Sequence, residues 1–476
     1  KGTGGVVLVQ HDARRQSVST RVQQEPTQGA TVELTINLRY QHILERELSA
    51  GIREHRAVGG TAIMMDPHTG EILAMASYPS FNPNAFGRSE PSTYKIPAFQ
   101  DAYEPGSTFK IVTLTAGLES GALTPNSLLD CSPGFIKLPG RKAITDDHKY
   151  GVLTFSEAII KSSNVCAIRA GWKVGAELMS RWARRYGFGQ THVPRFRGES
   201  GGIVTPLDAL NDSELASMSM GYAISVTPIQ MVLAMSSIAN GGRLMEPHLV
   251  RAIVRNGVRE EIAPKVVRQT ASPSTIAWMT PILEEVVNSG TAKAAKLDRY
   301  QVAGKTGTAK KAIPGGYSDT DRNSSFVGFV PSRRPEFAIL VVIDTPRAGQ
   351  VYGGAVAAPI FKRIAEAALV DAGVPPTIHP APPILRTVER PATEPPARQV
   401  TLVPVGTTSA DRAVVPDVRG MSAREATKVM MGAGLYVRMK GEGVVVEQSP
   451  EAGATLEIGS MSVLELRRAP AGGGSR

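Results

Sequence analysis

The stretch EPGSTFKIVTLTAGLES, Glu104 to Ser120, organises the reading of this chain. Its apolar residues recur at helical spacing after a Pro-Gly pair, which predicts a helix opening at Gly106–Ser107. One helical turn then sets the Lys110 amine beside the Ser107 hydroxyl. A serine is a poor nucleophile until a neighbour takes its proton, and a lysine with a lowered pKa can do that. Standing alone, Ser107 reads as a helix cap. Lys110 reads as a surface lysine whose stem covers apolar ground, a poor fit with Phe109, Ile111, Val112 and Leu114 crowded around it. Two later segments change the meaning of the pair: Ser162-Ser163-Asn164, then Lys305-Thr306-Gly307-Thr308.

With 476 residues the chain is too long for one ordinary core, so two or more domains are expected. The net charge of +10 permits an anionic neighbour. The basic residues are spread along the chain, however, and the one basic-aromatic cluster, Arg181, Trp182, Arg184, Arg185, Tyr186 and Phe188, reads as an amphipathic helix. That reading puts Trp172, Met179, Trp182 and Tyr186 inward, ends the helix at Gly187, and argues against nucleic acid as a partner. No Cys/His arrangement has metal-ligand spacing, so no metal is expected. Of the two cysteines, Cys166 falls on a helix that should be buried, where a free thiol behaves as a small apolar residue. A Cys131–Cys166 bridge is possible and not favoured. The longest apolar runs, Phe337–Ile343 and Met231–Ala239, fall short of the ~18 residues that span a bilayer.

Along the chain, Val6–Val9 is a short strand candidate, VELTI from Val32 is a strand, and a helix follows with Tyr40, Ile43, Leu44, Leu48 and Ile52 on one face. TAIMMD and EILAMAS flank Pro67-His-Thr-Gly70 as a hairpin. Helical patterns dominate from Ser107 to about Val287. Strands return at Tyr300–Lys311, Ser324–Ser332 and Glu336–Asp344, and a helix over Ala358–Leu369 closes the region. Strands at both ends with helices between them predict an α+β fold, a mixed sheet flanked by helices with an inserted helical subdomain. Gly373–Val405 is proline-rich and reads as an extended, semi-rigid linker. After it, VVPDV, the helix SAREATKVMMGAG and three strands make a compact βα unit.

The three motifs in this order match the recurrent set of penicillin-binding proteins and class A β-lactamases, and it is this match that gives them their meaning. Thr61–Asn84, Gly221–Gln230 (GYAISVTPIQ) and Ala239–Gly242 (ANGG) also resemble stretches of class B penicillin-binding proteins. Val414–Arg468 resembles a PASTA module, and the combination looks most like the septal, FtsI-like branch or its sporulation relatives. Where that family usually has Leu-Thr-Ile-Asp, this chain has Leu34-Thr-Ile-Asn37, and asparagine caps a helix as well. The resemblance implies a penicillin-binding/β-lactamase-like transpeptidase fold over 61–370. Residues 1–60 would be the remnant of a non-catalytic pedestal, 371–411 the linker, 412–470 the PASTA-like module and 471–476 a disordered tail. Family members carry an N-terminal membrane anchor. The chain starts at Lys1 and reads as a fragment or processed form without that anchor.

The implied activity is peptidoglycan D,D-transpeptidation on stem pentapeptides at the outer face of the cytoplasmic membrane, without a cofactor, and with covalent inhibition by β-lactams. A membrane-embedded glycan polymerase of the SEDS family and divisome proteins are the implied partners. Catalytic roles carry over to Ser107 as nucleophile, Lys110 as base lowered by burial and by Lys305, Ser162 as proton relay, and Asn164 as hydrogen-bond partner of Lys110 and the substrate amide. Lys305, Thr306, Gly307 and Thr308 would bind substrate from an edge strand, the lysine and two hydroxyls facing its carboxylate. Gly307 would let the peptide approach the backbone, and the Ser107 and Thr308 N–H groups would form an oxyanion hole. A phosphate-loop reading of Gly304-Lys-Thr306 fails, because Arg299 stands where a glycine is needed. A β-lactamase or D,D-carboxypeptidase on the same scaffold is the alternative, as is a wall-binding or β-lactam-sensing protein that never turns over. Glu199 lies at a plausible position for a water-activating glutamate, but its Gly198-Glu-Ser-Gly-Gly202 context does not match that loop.

Overall fold

The computed structural model describes residues 1–85, 87–193, 196–378 and 412–467. Two compact units emerge, Lys1–Pro383 and Ile384–Arg476. In the first, helix α1 (Leu38–His55) starts where the Asn37 carboxamide accepts the N–H groups of Arg39 and Tyr40. Strands β1 (Gly59–Met65) and β2 (Ile72–Tyr78) form the hairpin expected around Pro67–Gly70. A long insertion follows, carrying α2 (Lys110–Glu119), α3 (Asn164–Val174), α4 (Ala176–Arg185), α5 (Pro228–Ala239) and α6 (Pro273–Asn288). The chain then returns through β3 (Ala303–Ile313), β4 (Gly316–Val330) and β5 (Phe337–Asp344) to α7 (Gly353–Asp371).

The five strands form one sheet in the order β3-β4-β5-β1-β2, with β3 at an edge. Every pairing in it is antiparallel. The α+β class stands, but the sheet is not mixed. Three of its four pairings join strands consecutive in the chain, and the fourth, β5 with β1, also runs antiparallel across the insertion. Ala338, Leu340 and Val342 of β5 pack toward the helical insertion, while Phe337, Ile339, Val341 and Ile343 pack with α1 and α7. A strand covered on both faces reads as an unbroken apolar run, which is why FAILVVI lacks polar alternation. Ile43, Leu44, Leu48 and Ile52 of α1 share that second core with Ile360, Phe361 and Ile364 of α7.

Four details depart from the sequence reading. The strand at Val6 extends to His11 and pairs with a second strand, Ser17–Gln24. The Ser107 stretch opens as a 3₁₀ turn over Gly106–Phe109, and the α-helix begins at Lys110. Trp172 lies on α3, which Gly175 at φ +88° separates from α4; it is 36% exposed, while Met179, Trp182 and Tyr186 are buried as expected. Cys131 and Cys166 are bonded, their Cα atoms 5.1 Å apart. The short strand Leu128–Asp130 packs beside α3, and that proximity pairs the two sulfurs.

Chain beyond α7 stays on the first unit as far as Ile378: Tyr300 Oη donates to the Val374 carbonyl, and the N–H groups of Thr377 and Ile378 donate to the Arg299 carbonyl. The rest of the proline-rich segment through 411, and the tail 471–476, lie outside the described residues. In the second unit, α8 (Ala423–Gly432) begins with a Ser422–Glu425 capping box and covers β6 (Tyr436–Gly441), β7 (Val444–Ser449) and β8 (Met461–Arg467). β8 runs parallel to β6 and antiparallel to β7. Among the described residues no helix is long and apolar enough to cross a membrane.

Candidate active site

Four chain segments converge around Lys110. The first is the Gly106–Phe109 turn, held from behind by backbone contact: the Gly106 N–H donates to the Gly221 carbonyl. A Cβ on Gly221, at φ +89°, would lie 1.9 Å from the Gly106 carbonyl oxygen, so only glycine fits there. Glu104 holds the same backing segment, its Oε1 accepting the Ala223 N–H and the Tyr317 hydroxyl, both at 3.0 Å. Phe109 packs on Phe188 with ring centroids 5.6 Å apart, anchoring the start of α2.

Lys110 is fully buried. Its Nζ donates to the Ser162 carbonyl at 2.6 Å, to Asn164 Oδ1 at 2.9 Å and to Ser162 Oγ at 3.3 Å. Three acceptors saturate an ammonium; a neutral amine keeps a lone pair able to take a proton. Burial is the first cause that pulls the Lys110 pKa down, to about 7, and the carboxylates of Asp146 and Asp147 oppose it. Lys305, also fully buried, donates to Ser162 Oγ at 2.9 Å and to the Thr306 carbonyl at 3.2 Å. Burial first, and then the charge of Lys110, hold its pKa well below the ordinary lysine value. Two amines thus share one hydroxyl oxygen. With both lone pairs of Ser162 Oγ accepting, its own proton is free to point elsewhere.

Ser162 sits at φ +59°, a conformation costly for a residue with a Cβ. Asp146 holds this segment in place. Its carboxylate accepts the Ser163 hydroxyl at 2.6 Å, the Val165 N–H at 3.1 Å and the Asn164 N–H. These bonds satisfy the unpaired first N–H groups of α3 and place a negative charge at its N-terminus. Asn164 Nδ2 donates to the Thr145 carbonyl at 3.0 Å, which fixes its Oδ1 toward Lys110. Sequence reasoning missed Asp146, because an acid in Ile-Thr-Asp-Asp-His carries no sign of its partner 18 positions later.

On the edge strand β3, Gly307 meets the turn directly. A Cβ there would lie 2.5 Å from Ser325 Oγ and 2.8 Å from the Pro105 carbonyl oxygen. The space left by the missing side chain is therefore filled by the protein's own Ser325 and Pro105. Thr306 Oγ1 meets Thr291 Oγ1 at 2.7 Å, and Thr308 Oγ1 accepts the Gly353 N–H at 2.9 Å. Ser107, Ser162, Asn164 and Thr308 are half-buried, whereas both lysines are enclosed. Glu199 stands apart from this cluster: its carboxylate accepts the N–H groups of His192 at 2.7 Å and Val193 at 2.9 Å, closing its own loop.

Residues 60–366 match the penicillin-binding protein transpeptidase domain. The chain belongs to that family. Residues 413–464 match the PASTA domain. Stage V sporulation protein D of Bacillus subtilis is 31% identical over 97% of this chain and 69% of its own length. The peptidoglycan D,D-transpeptidase FtsI of Escherichia coli is 32% identical over 70% of this chain and 54% of its own length. Among solved structures, the transpeptidase domain of Burkholderia pseudomallei penicillin-binding protein 3 is 32% identical, with a TM-score of 0.64 over 72% of this chain and 98% of that one. The chain thus spans part of the length of its curated relatives. As a member of this family, it has peptidoglycan and β-lactams as its ligand classes.

Proposed function

We propose that this protein is a serine D,D-transpeptidase that cross-links peptidoglycan stem peptides through a Ser107 acyl-enzyme. The observation that carries the reading is the Lys110–Ser162–Asn164–Lys305 network between the turn bearing Ser107 and the strand bearing Thr308. Ser107 Oγ attacks the carbonyl carbon of the penultimate D-Ala while neutral Lys110 takes the hydroxyl proton. Negative charge on the carbonyl oxygen faces the N–H groups of Ser107 and Thr308. The C–N bond breaks, Ser162 passes a proton from the lysine pair to the departing amine, and free D-Ala leaves. An amine from a second strand then attacks the ester carbon, its surplus proton returns through the same network, and Ser107 regains its hydroxyl. Lys305, Thr306 and Thr308 serve the terminal carboxylate of the peptide, and Asn164 its amide.

Transfer is favoured over hydrolysis because Glu199, the glutamate considered above for activating water, is tied to the backbone of its own loop. The likeness to FtsI and to a sporulation protein supports a septal role, in division or sporulation. With it go an N-terminal membrane anchor, action at the outer face of the cytoplasmic membrane, and a SEDS-family polymerase and divisome proteins as partners. The test is labelling with a fluorescent penicillin followed by mass spectrometry, comparing wild type with Ser107→Ala. An adduct on the Ser107 peptide, absent from the folded variant, is the expected result; an adduct elsewhere overturns the assignment. Release of free tetrapeptide without cross-linked product from a stem-peptide substrate would convert the reading to a hydrolase.

A further inference from the structure

Thr306 and Thr308 alternate along β3 with Lys305 and Gly307, so their side chains belong to the sheet face that packs on α7. Each meets one partner there. Thr291, from the segment between α6 and β3, places its hydroxyl 2.7 Å from that of Thr306. Gly353, the first residue of α7, donates its N–H to Thr308 Oγ1 at 2.9 Å. The close seating of α7 depends on two glycines. A Cβ on Gly353 would lie 2.3 Å from the carbonyl oxygens of both Gly307 and Ser325, and one on Gly354 would lie 2.1 Å from that of Thr291.

A threonine hydroxyl has a single proton and a side chain that rotates about one bond. By accepting from Gly353, Thr308 Oγ1 is left with its proton directed away from α7. By bonding to Thr291, Thr306 is held in one rotamer. Tyr352 supplies no side-chain cap to α7, a helix of 19 residues; its first N–H is taken instead by Thr308 Oγ1, so the positive end of the helix lies beside the two hydroxyls.

We infer that Thr291 and the Gly353–Gly354 opening of α7 are positioning elements that orient the Thr306 and Thr308 hydroxyls toward the carboxylate of the incoming peptide or β-lactam. This rests on the proposed role of Lys305–Thr308 as the carboxylate subsite. Thr291 touches no substrate; it acts through Thr306.

The experiment measures the acylation rate constants of the full chain with benzylpenicillin and with its neutral methyl ester. Thr291→Val keeps the shape and removes the hydroxyl. It should slow acylation by the free acid about 10-fold, the scale of one hydrogen bond to a charged group, and leave the ester rate within about 2-fold. Thr291→Ser should restore the acid rate. Equal losses for acid and ester, or no loss for either, overturn the inference. Thr306→Val separates the two readings. If it loses the acid preference and Thr291→Val does not, only the positioning role fails. If Thr306→Val shows no acid-selective loss, the carboxylate role of the strand fails and the inference goes with it.

Discussion

The two units of this protein treat charge in opposite ways. In the C-terminal unit, Val415, Val418, Met430, Leu435, Val445, Leu464 and Leu466 close a small apolar core. Among the described residues, the buried polar side chains there are Gln448 and Ser462. Gln448 bonds at both ends of its amide, to the Val418 N–H and the Pro416 carbonyl. Its shifted ionisable groups are exposed ones: Asp417 is lowered chiefly by Arg419, and Glu425 by Ser422 at the helix cap. The catalytic unit instead encloses two lysines completely, and burial is the first cause of both shifts. Moving the Lys110 pKa from 10.5 to about 7 corresponds to a cost on the order of 5 kcal/mol for its charged form. A core of nine residues cannot absorb that and stay folded, whereas a sheet covered on both faces can. Chemistry resides where the fold is large enough to hold a group in an unfavourable state.

The largest effect is expected from Lys110→Met, which keeps the volume and removes the buried amine. Penicillin acylation should fall about 1,000-fold, the range of a lost general base, while the melting temperature of the catalytic unit holds or rises. A melting temperature lowered by several degrees would mean that the Lys110 hydrogen bonds stabilise the fold more than burial of the amine destabilises it.

pH sharpens the same contrast at smaller amplitude. Acylation should rise with pH through about 7 if deprotonated Lys110 serves as the proposed base. The folded lysine pKa lies below the unfolded one, so the unfolded chain binds more protons between the two values. Stability of the catalytic unit should therefore increase from about pH 7 toward 10.5. Asp146 opposes the lowering, so Asp146→Asn should move the kinetic midpoint downward and, by loosening Ser162 and Asn164, slow acylation about 10-fold. A midpoint that moves upward would remove Asp146 as a partner of Lys110.

The smallest effect is expected from the C-terminal unit itself. A chain ending at Ile378, past the bonds from Thr377 and Ile378 to Arg299, should acylate within about 2-fold of the full chain, with any defect confined to localisation or partner binding. Loss of acylation by a folded truncated protein would make that unit part of the active site.

Much of this molecule was legible along the chain. The α1 face, the Asn37 cap and the β1–β2 hairpin follow from periodicity and turn chemistry, which act over a few residues. The motif order suggested a nucleophile, a base and a relay, and the strand expected at Lys305–Thr308 does lie at the sheet edge. Reading Trp172 and Trp182 on one helix failed locally, because Gly175 ended the first helix in a conformation that the apolar spacing did not reveal.

The local elements and the chemistry each could offer follow from the order of residues alone. It takes the folded arrangement to bring Cys131 to Cys166, to seat Asp146 at the start of the helix after Ser162, to fit Gly307 against Pro105, and to set Thr291 against Thr306. Each of these joins segments far apart in the chain through single atoms. Such contacts leave no periodic trace, because the sheet and its inserted helices, and not the spacing of residues, bring the partners within reach.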